Sequence, residues 1–277
     1  MRIQHNITAL SAANKLKANE NTVSKNIQKL SSGYRINSAA DDAAGLAVSE
    51  KMRKQINGLS QAEDNTKNGI SLIQTAEGGL NETTAILQRM NTLAVESANG
   101  TYKDEDRANL QKEVDHLNTE IDRISSSTKF NEISLLDGSL STTSNALTFQ
   151  VGAENTTSQQ ASLQVGKMDS TSLTVKGVNV GTQTGAQTAI DTIKAALAKV
   201  STTRADLGAL QNELEHTANN LSTMNENLTS AESTIRDVDM TDEYVQFSKN
   251  QILAQAANSM LAQANAQPQN VLTLLKG

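Results

Sequence analysis

Apolar residues recur in alternating steps of three and four along much of the chain. One run reads Leu59, Ala62, Thr66, Gly69, Ile73, Ala76, Leu80, Thr83, Leu87, Met90 and Ala94. A second reads Leu110, Val114, Leu117, Ile121 and Ile124. The third reads Ala189, Ile193, Ala196, Val200, Thr203, Leu207, Leu210, Leu214, Thr217, Leu221, Met224, Leu228, Ala231 and Ile235. This spacing keeps one seam of a helix facing a partner helix. The third run alone would be a helix of roughly 70 Å at about 1.5 Å per residue. Three such runs predict a mainly α protein, an elongated antiparallel coiled-coil or helical bundle.

The ends of these helices are legible. Asn99-Gly100 predicts a left-handed cap on the first, and Asp104-Glu105-Asp106 puts acid where the next helix dipole favours it. Ser125-Ser126-Ser127 loosens the far end of that helix, and Gly78-Gly79 reads as a place of close helix approach. From about 130 to 185 the period changes to two. Leu147, Phe149 and Val151 alternate with polar residues, as do Leu163 and Val165, Leu173 and Val175, and Val178 and Val180. With Asp137-Gly138 as a turn signal, this predicts a small region of β-hairpins at the chain centre.

Both ends carry weaker helical patterns. Ile3, Ile7 and Leu10 share a face, followed by Leu16, Val23, Ile27 and Leu30; Leu253, Ala257, Met260 and Ala264 repeat near the finish. These segments are rich in Ala, Asn and Gln, and an isolated helix of that kind is marginal in water. The two ends are expected to need each other, or neighbouring molecules, to become ordered.

Composition narrows the field. Only 2% of the 277 residues are aromatic and Trp is absent, so apolar burial must come from aliphatic side chains and Met. A net charge of −6 argues against nucleic acid. No run of about 18 apolar residues predicts a membrane span, and no Cys is present for disulfides or thiolate chemistry. The start, Met1-Arg2-Ile3-Gln4-His5-Asn6, lacks the apolar stretch of a cleavable signal.

Two terminal motifs are specific enough to name a family. Leu30-Ser31-Ser32-Gly33-Tyr34-Arg35-Ile36-Asn37-Ser38-Ala39-Ala40-Asp41-Asp42-Ala43-Ala44-Gly45-Leu46-Ala47-Val48-Ser49 closely resembles the flagellin amino-terminal signature. Ser233-Thr234-Ile235-Arg236-Asp237-Val238-Asp239-Met240, with Gln263-Ala264-Asn265, Pro268-Gln269 and Val271-Leu272-Thr273-Leu274-Leu275, resembles its carboxy-terminal counterpart. The resemblance implies an extracellular filament of identical subunits, exported unfolded through the flagellar secretion channel and serving motility. It implies a terminal coiled-coil domain of 1–44 plus 236–277 lining an inner tube. The remainder, 45–235, would be a rod-like domain carrying the β-rich segment and no separate outer domains. The partners implied are an export chaperone on the C-terminal segment and the filament cap and hook–filament junction proteins.

The candidate chemistry is contact, not catalysis. Adjacent carboxylates Asp41 and Asp42 do not converge on one point of a helix, so inter-subunit polar contact is expected there, with Arg35, Arg53 and Arg236 as partner guanidiniums. His5, His116 and His216 are scattered and form no His-Glu-x-x-His site. No catalytic, cofactor or metal site is read. Leu87-Gln88-Arg89-Met90-Asn91-Thr92-Leu93-Ala94-Val95 resembles the segment that the Toll-like flagellin receptor of animals recognises in many members. Arg89, Leu93 and Glu113 are the matching contact positions, while Asn91-Thr92 replaces the usual Arg-Glu.

Overall fold

The computed structural model describes residues 5–142 and 145–276, with 268–276 as backbone only. Ile3 of the expected terminal seam therefore lies outside the described residues. Five helices dominate: α1 (Ile7–Ser32), α2 (Ala43–Ala98), α3 (Asp104–Ser127), α4 (Gln183–Arg236) and α5 (Met240–Lys276). Four short strands lie between α3 and α4: β1 (Lys129–Phe130), β2 (Ile133–Ser134), β3 (Leu147–Gln150) and β4 (Gln160–Leu163). The chain is thus a helical bundle with two small antiparallel hairpins, β1–β2 and β3–β4. It divides into a terminal unit, Met1–Ile56 with Asn227–Gly277, and a central unit, Asn57–Glu226.

In the central unit α2 and α4 run antiparallel, with Gln183 Nε2 donating to Ala98 O at one level and Arg204 meeting Glu77 at another. Every residue of the run from Leu59 to Ala94 is buried. Two of them are polar, and they fit because Thr66 and Thr83 return their hydroxyls to the carbonyls of Ala62 (2.7 Å) and Gly79 (2.9 Å). On α4 the same seam is buried at Ala189, Ile193, Ala196, Val200, Leu207, Leu214 and Leu221. Leu210 and Thr217 are only half-buried, and Met224 is exposed.

A third layer completes this core in two parts. Helix α3 folds back along α2 and contributes Val114 and Ile121. Where α3 has ended, the β3–β4 hairpin takes its place against α2. Asn65 Nδ2 donates to Gln150 O (3.2 Å), and a Cβ on Gly69 would stand 3.3 Å from the Phe149 ring. Glycine at that position lets a strand lie flush on a helix.

Three local expectations need correction. Gly100 is not left-handed; among the described residues only Gly33 and Gly138 have positive φ for glycine. The end of α2 is closed instead by Arg107, 3% exposed, whose guanidinium donates to the carbonyls of Ser97, Asn99 (2.9 Å) and Tyr102 (3.1 Å). A buried cation there also suits the negative end of the helix dipole. The close approach at Gly78-Gly79 is not between helices: Gly79 faces Thr128 and Leu136, while nothing crowds Gly78.

The stretches around Leu173–Val175 and Val178–Val180 form no strands. Their apolar residues are buried as the period-two pattern requires, but their backbone groups find other partners. Gln111 donates to Val178 O (3.1 Å) and accepts from Val180 N (2.6 Å), so one amide side chain substitutes for a neighbouring strand. Asp122 accepts from Ser170 N and Oγ, and Lys199 donates to Ser172 O.

Candidate assembly surface

The terminal unit is built differently. Helices α1 and α5 pair antiparallel, as cross-links at three levels require: Asn6 Nδ2 to Ala264 O (2.8 Å), Asn19 Nδ2 to Asn250 O (3.4 Å) and the Lys29–Glu243 ion pair (3.7 Å). Asn26, oriented so that its amide is satisfied, donates to Thr22 O and accepts from Phe247 N. The least exposed positions of α1 follow a strict heptad line through Ala9, Ala12, Leu16, Asn19, Val23, Asn26 and Leu30. Those of α5 follow Glu243, Phe247, Asn250, Ala254, Ala257, Leu261 and Ala264. Asparagine in such a seam fixes register at the expense of stability. Within α1 only Ala9 and Asn26 are fully buried.

This line differs from the one expected. Leu16, Val23, Leu30, Ala257 and Ala264 lie on it. Ile7 and Leu10 stand on the opposite face of α1, and Ile27, Leu253 and Met260 flank the seam, all five exposed. Leu10 is 62% and Ile252 65% exposed. The sequence pattern marks the large apolar residues, whereas the pair closes on a mixed line in which alanines and asparagines alternate with Leu16, Val23, Leu30, Phe247 and Leu261. Of the large apolar side chains exposed among the described residues, all but Val95, Ile133 and Met224 belong to the terminal unit.

A clamp joins the connections at the base of the pair. Tyr34 and Asp237 form an antiparallel bridge, flanked by Arg35 N to Arg236 O (2.7 Å) and Val238 N to Gly33 O (3.0 Å). Gly33, at φ 75°, caps α1 by donating to Lys29 O. The Arg236 guanidinium lies 4.8 Å from the Tyr34 ring centre and pairs with Glu50 (2.7 Å), while Ser49 Oγ donates to Glu232 (2.9 Å). Arg53 also faces Glu50, and Arg35 donates to Ile235 O.

Asp41 and Asp42 meet none of these arginines in the described side chains. Asp41 accepts from the N–H groups of Asn37 and Ser38 and from Ser38 Oγ, and the Ser38 bonds hold its carboxyl below the usual range. Asp42 caps α2 by accepting from Gly45 N (2.9 Å). A Cβ at Gly45 would strike that carboxylate and Ile36, which explains the glycine inside a first helical turn. The capping role of Asp42 was missed from sequence, although an Asp just before a helical run is its signal.

Arg89 and Glu113 form a 2.8 Å ion pair between α2 and α3 on the surface of the central unit, and the Arg89 guanidinium is held above its usual range by that bond. Leu93 is 1% exposed and belongs to the core. Among the described residues, no helix is long and apolar enough to cross a membrane.

Residues 3–141 match the family model of the bacterial flagellin N-terminal helical region, and residues 190–275 that of the C-terminal helical region. The chain belongs to the bacterial flagellin family. It is 49% identical to the flagellin of Bacillus subtilis (strain 168) over 100% of both chains. It is 48% identical to the flagellar filament 30.7 kDa core protein of Treponema maltophilum, over 99% of this chain and 100% of that one. A solved flagellar hook-associated protein from Vibrio parahaemolyticus shares the fold, with a TM-score of 0.58 at 14% identity over 71% of this chain and all of that one. Flagellins are structural proteins, so this chain is a filament subunit that polymerises with copies of itself and is not an enzyme.

Proposed function

We propose that the terminal unit is where polymerisation draws its free energy: α1 and α5 leave the cell unfolded and become fully ordered only when a neighbouring subunit covers them. The observation that carries this reading is the outward placement of Ile7, Leu10, Val245 and Ile252 over a seam in which alanines and asparagines outnumber the large side chains. Burying each large aliphatic chain is worth about 1.5–3 kcal/mol. Here that gain awaits a second copy, so ordering and assembly coincide. Arg35, Arg53 and Arg236, with Asp41 and Asp42, are candidate contacts between subunits at the clamp.

In this reading 1–44 with 236–277 line the inner tube of the filament, and 45–235 form its outer body without further domains. Export runs through the flagellar secretion channel, delivers the chain outside the cell, and serves swimming. A chaperone on the C-terminal segment shields the α5 stripe beforehand, and the cap and hook–filament junction proteins meet the same ends. A host's Toll-like flagellin receptor is a further candidate partner. The exposed Arg89 and Glu113 are available to it, whereas Leu93 would act through the packing beneath them.

Limited proteolysis before and after seeded polymerisation tests the proposal. Termini cut rapidly in the monomer and protected in the polymer are expected; equal protection in both states removes it. A receptor reporter assay silent to soluble monomer would remove the host partner.

A further inference from the structure

The chain contains three Asn-Gly pairs, Asn57-Gly58, Asn68-Gly69 and Asn99-Gly100, and the fold treats them differently. The first two lie inside α2, where the glycine N–H is committed to the i−4 carbonyl. The third lies just past Ala98, the last residue of α2, with both residues exposed. No hydrogen bond from Gly100 N–H is found among the described residues. The turn around it is nonetheless held. Asn99 Oδ1 accepts from Thr101 N, which folds the side-chain amide forward over the following peptide, and Tyr102 donates to Glu96 (2.6 Å).

We infer that Asn99 is a site of spontaneous deamidation, the one Asn-Gly pair of the three that the native fold leaves reactive. Gly100 N loses its proton to solvent hydroxide and attacks Asn99 Cγ. The Cγ–Nδ2 bond breaks, and the amide nitrogen takes a proton and leaves as ammonia. Water then opens the cyclic imide at either carbonyl, giving aspartate or isoaspartate at 99.

The place gives the change a consequence. A carboxylate would arise one residue past the negative end of the α2 dipole. Isoaspartate would also reroute the backbone whose Asn99 carbonyl Arg107 holds at 2.9 Å. Damage here therefore loosens the α2–α3 turn of the central unit.

Incubation of the soluble folded chain at mildly alkaline pH, followed by peptide mass spectrometry for amide-to-acid conversion, tests the assignment. Asn99 should convert at least about ten-fold faster than Asn57 or Asn68, whose reaction waits on local helix opening. Gly100→Ala should slow conversion at 99 and leave the other two unchanged. That variant is tolerable because Gly100 needs no positive φ and a Cβ would stand 3.7 Å from its nearest neighbour, Gln183 Nε2. Equal rates at all three sites in the folded chain, or no effect of Gly100→Ala, would overturn it. Unfolding in denaturant supplies the control, since the three rates should then converge.

Discussion

The terminal pair and the central unit share one heptad spacing and fill it in opposite ways. In the central unit the large residues face inward: Ile73, Leu80, Leu87 and Met90 are wholly buried. In the α1–α5 pair the inward line is mostly Ala and Asn with half-buried Leu16, Val23, Leu30, Phe247 and Leu261, and Ile7, Leu10, Val245 and Ile252 face outward. Period tells that a segment is a helix with a seam. Residue size along the seam tells whether its stable partner lies in the same chain. The central unit finds its partners within the molecule, whereas the terminal pair leaves many of its large side chains exposed, as the proposed assembly surface requires.

The sharpest way to break this contrast is to charge the outward stripe. In Leu10→Asp combined with Ile252→Asp, two burials worth about 1.5–3 kcal/mol each are lost from assembly. The critical concentration for seeded growth should rise at least about 100-fold. Calorimetry of the monomer should show the unfolding of the central unit unchanged. Normal growth of the double variant would show that the exposed stripe is not an interface.

A second test makes one type of substitution in both seams. Leu80→Ala removes a wholly buried side chain and should destabilise the central unit by about 2–5 kcal/mol. Leu16→Ala, at a half-buried position of α1, should cost the monomer less than about 1 kcal/mol, because the transfer term scales with the area hidden from water. Denaturant melts read both. Similar costs at the two sites would make the terminal pair an ordinary core.

Much of this architecture was legible because periodicity is a property of the chain alone. The run from Leu59 to Ala94 is buried at every position, and the acidic start of α3 stands where the sequence put it. Less legible were features that depend on what lies opposite. Gly100 looks like a left-handed cap, but Arg107 takes the Ser97 carbonyl that such a cap would serve. The alternation at Leu173–Val180 correctly gives burial and wrongly suggests strands, because Gln111 and Asp122 replace the missing ladder. In the terminal pair Leu16, Val23 and Leu30 lie inward where the pattern put them, but Ile7, Leu10, Ile27, Leu253 and Met260 do not, since the Ala and Asn that complete the seam leave no hydrophobic signal to mark it.

Acid should separate the two regions more gently. Burial alone would raise the Asp169 carboxyl, but hydrogen bonds from Lys167 and Ser172, with the Lys167 charge, bring it down to about 2, well below the usual carboxylate range. A depressed carboxylate stabilises the fold fully above its unfolded value and loses that contribution as pH falls through its folded one. The central unit should therefore lose stability between about pH 4 and pH 2, and Asp169→Asn should flatten that limb of a melting-temperature profile. Asp41 in the terminal unit is also depressed but fully exposed, so solvent screening leaves its loss a smaller effect.

The smallest expected effect runs the other way and is confined to the central unit. Thr174 holds φ 60°, and the N–H groups of Val175 and Lys176 both return to Ser170 O, closing a single helical turn as a left-handed C-terminal cap does. A β-branched residue there is strained by roughly 1–2 kcal/mol, while glycine would add about 0.4–1 kcal/mol of unfolded-state entropy. Thr174→Gly should therefore stabilise the central unit by roughly 0.8 kcal/mol, the difference between the midpoints of those two ranges. Its melt should shift upward while the protease sensitivity of the α1–α5 pair stays as it was. A gain in protection at the termini would mean that the two regions do not order independently, and the contrast drawn from their seams would have to be abandoned.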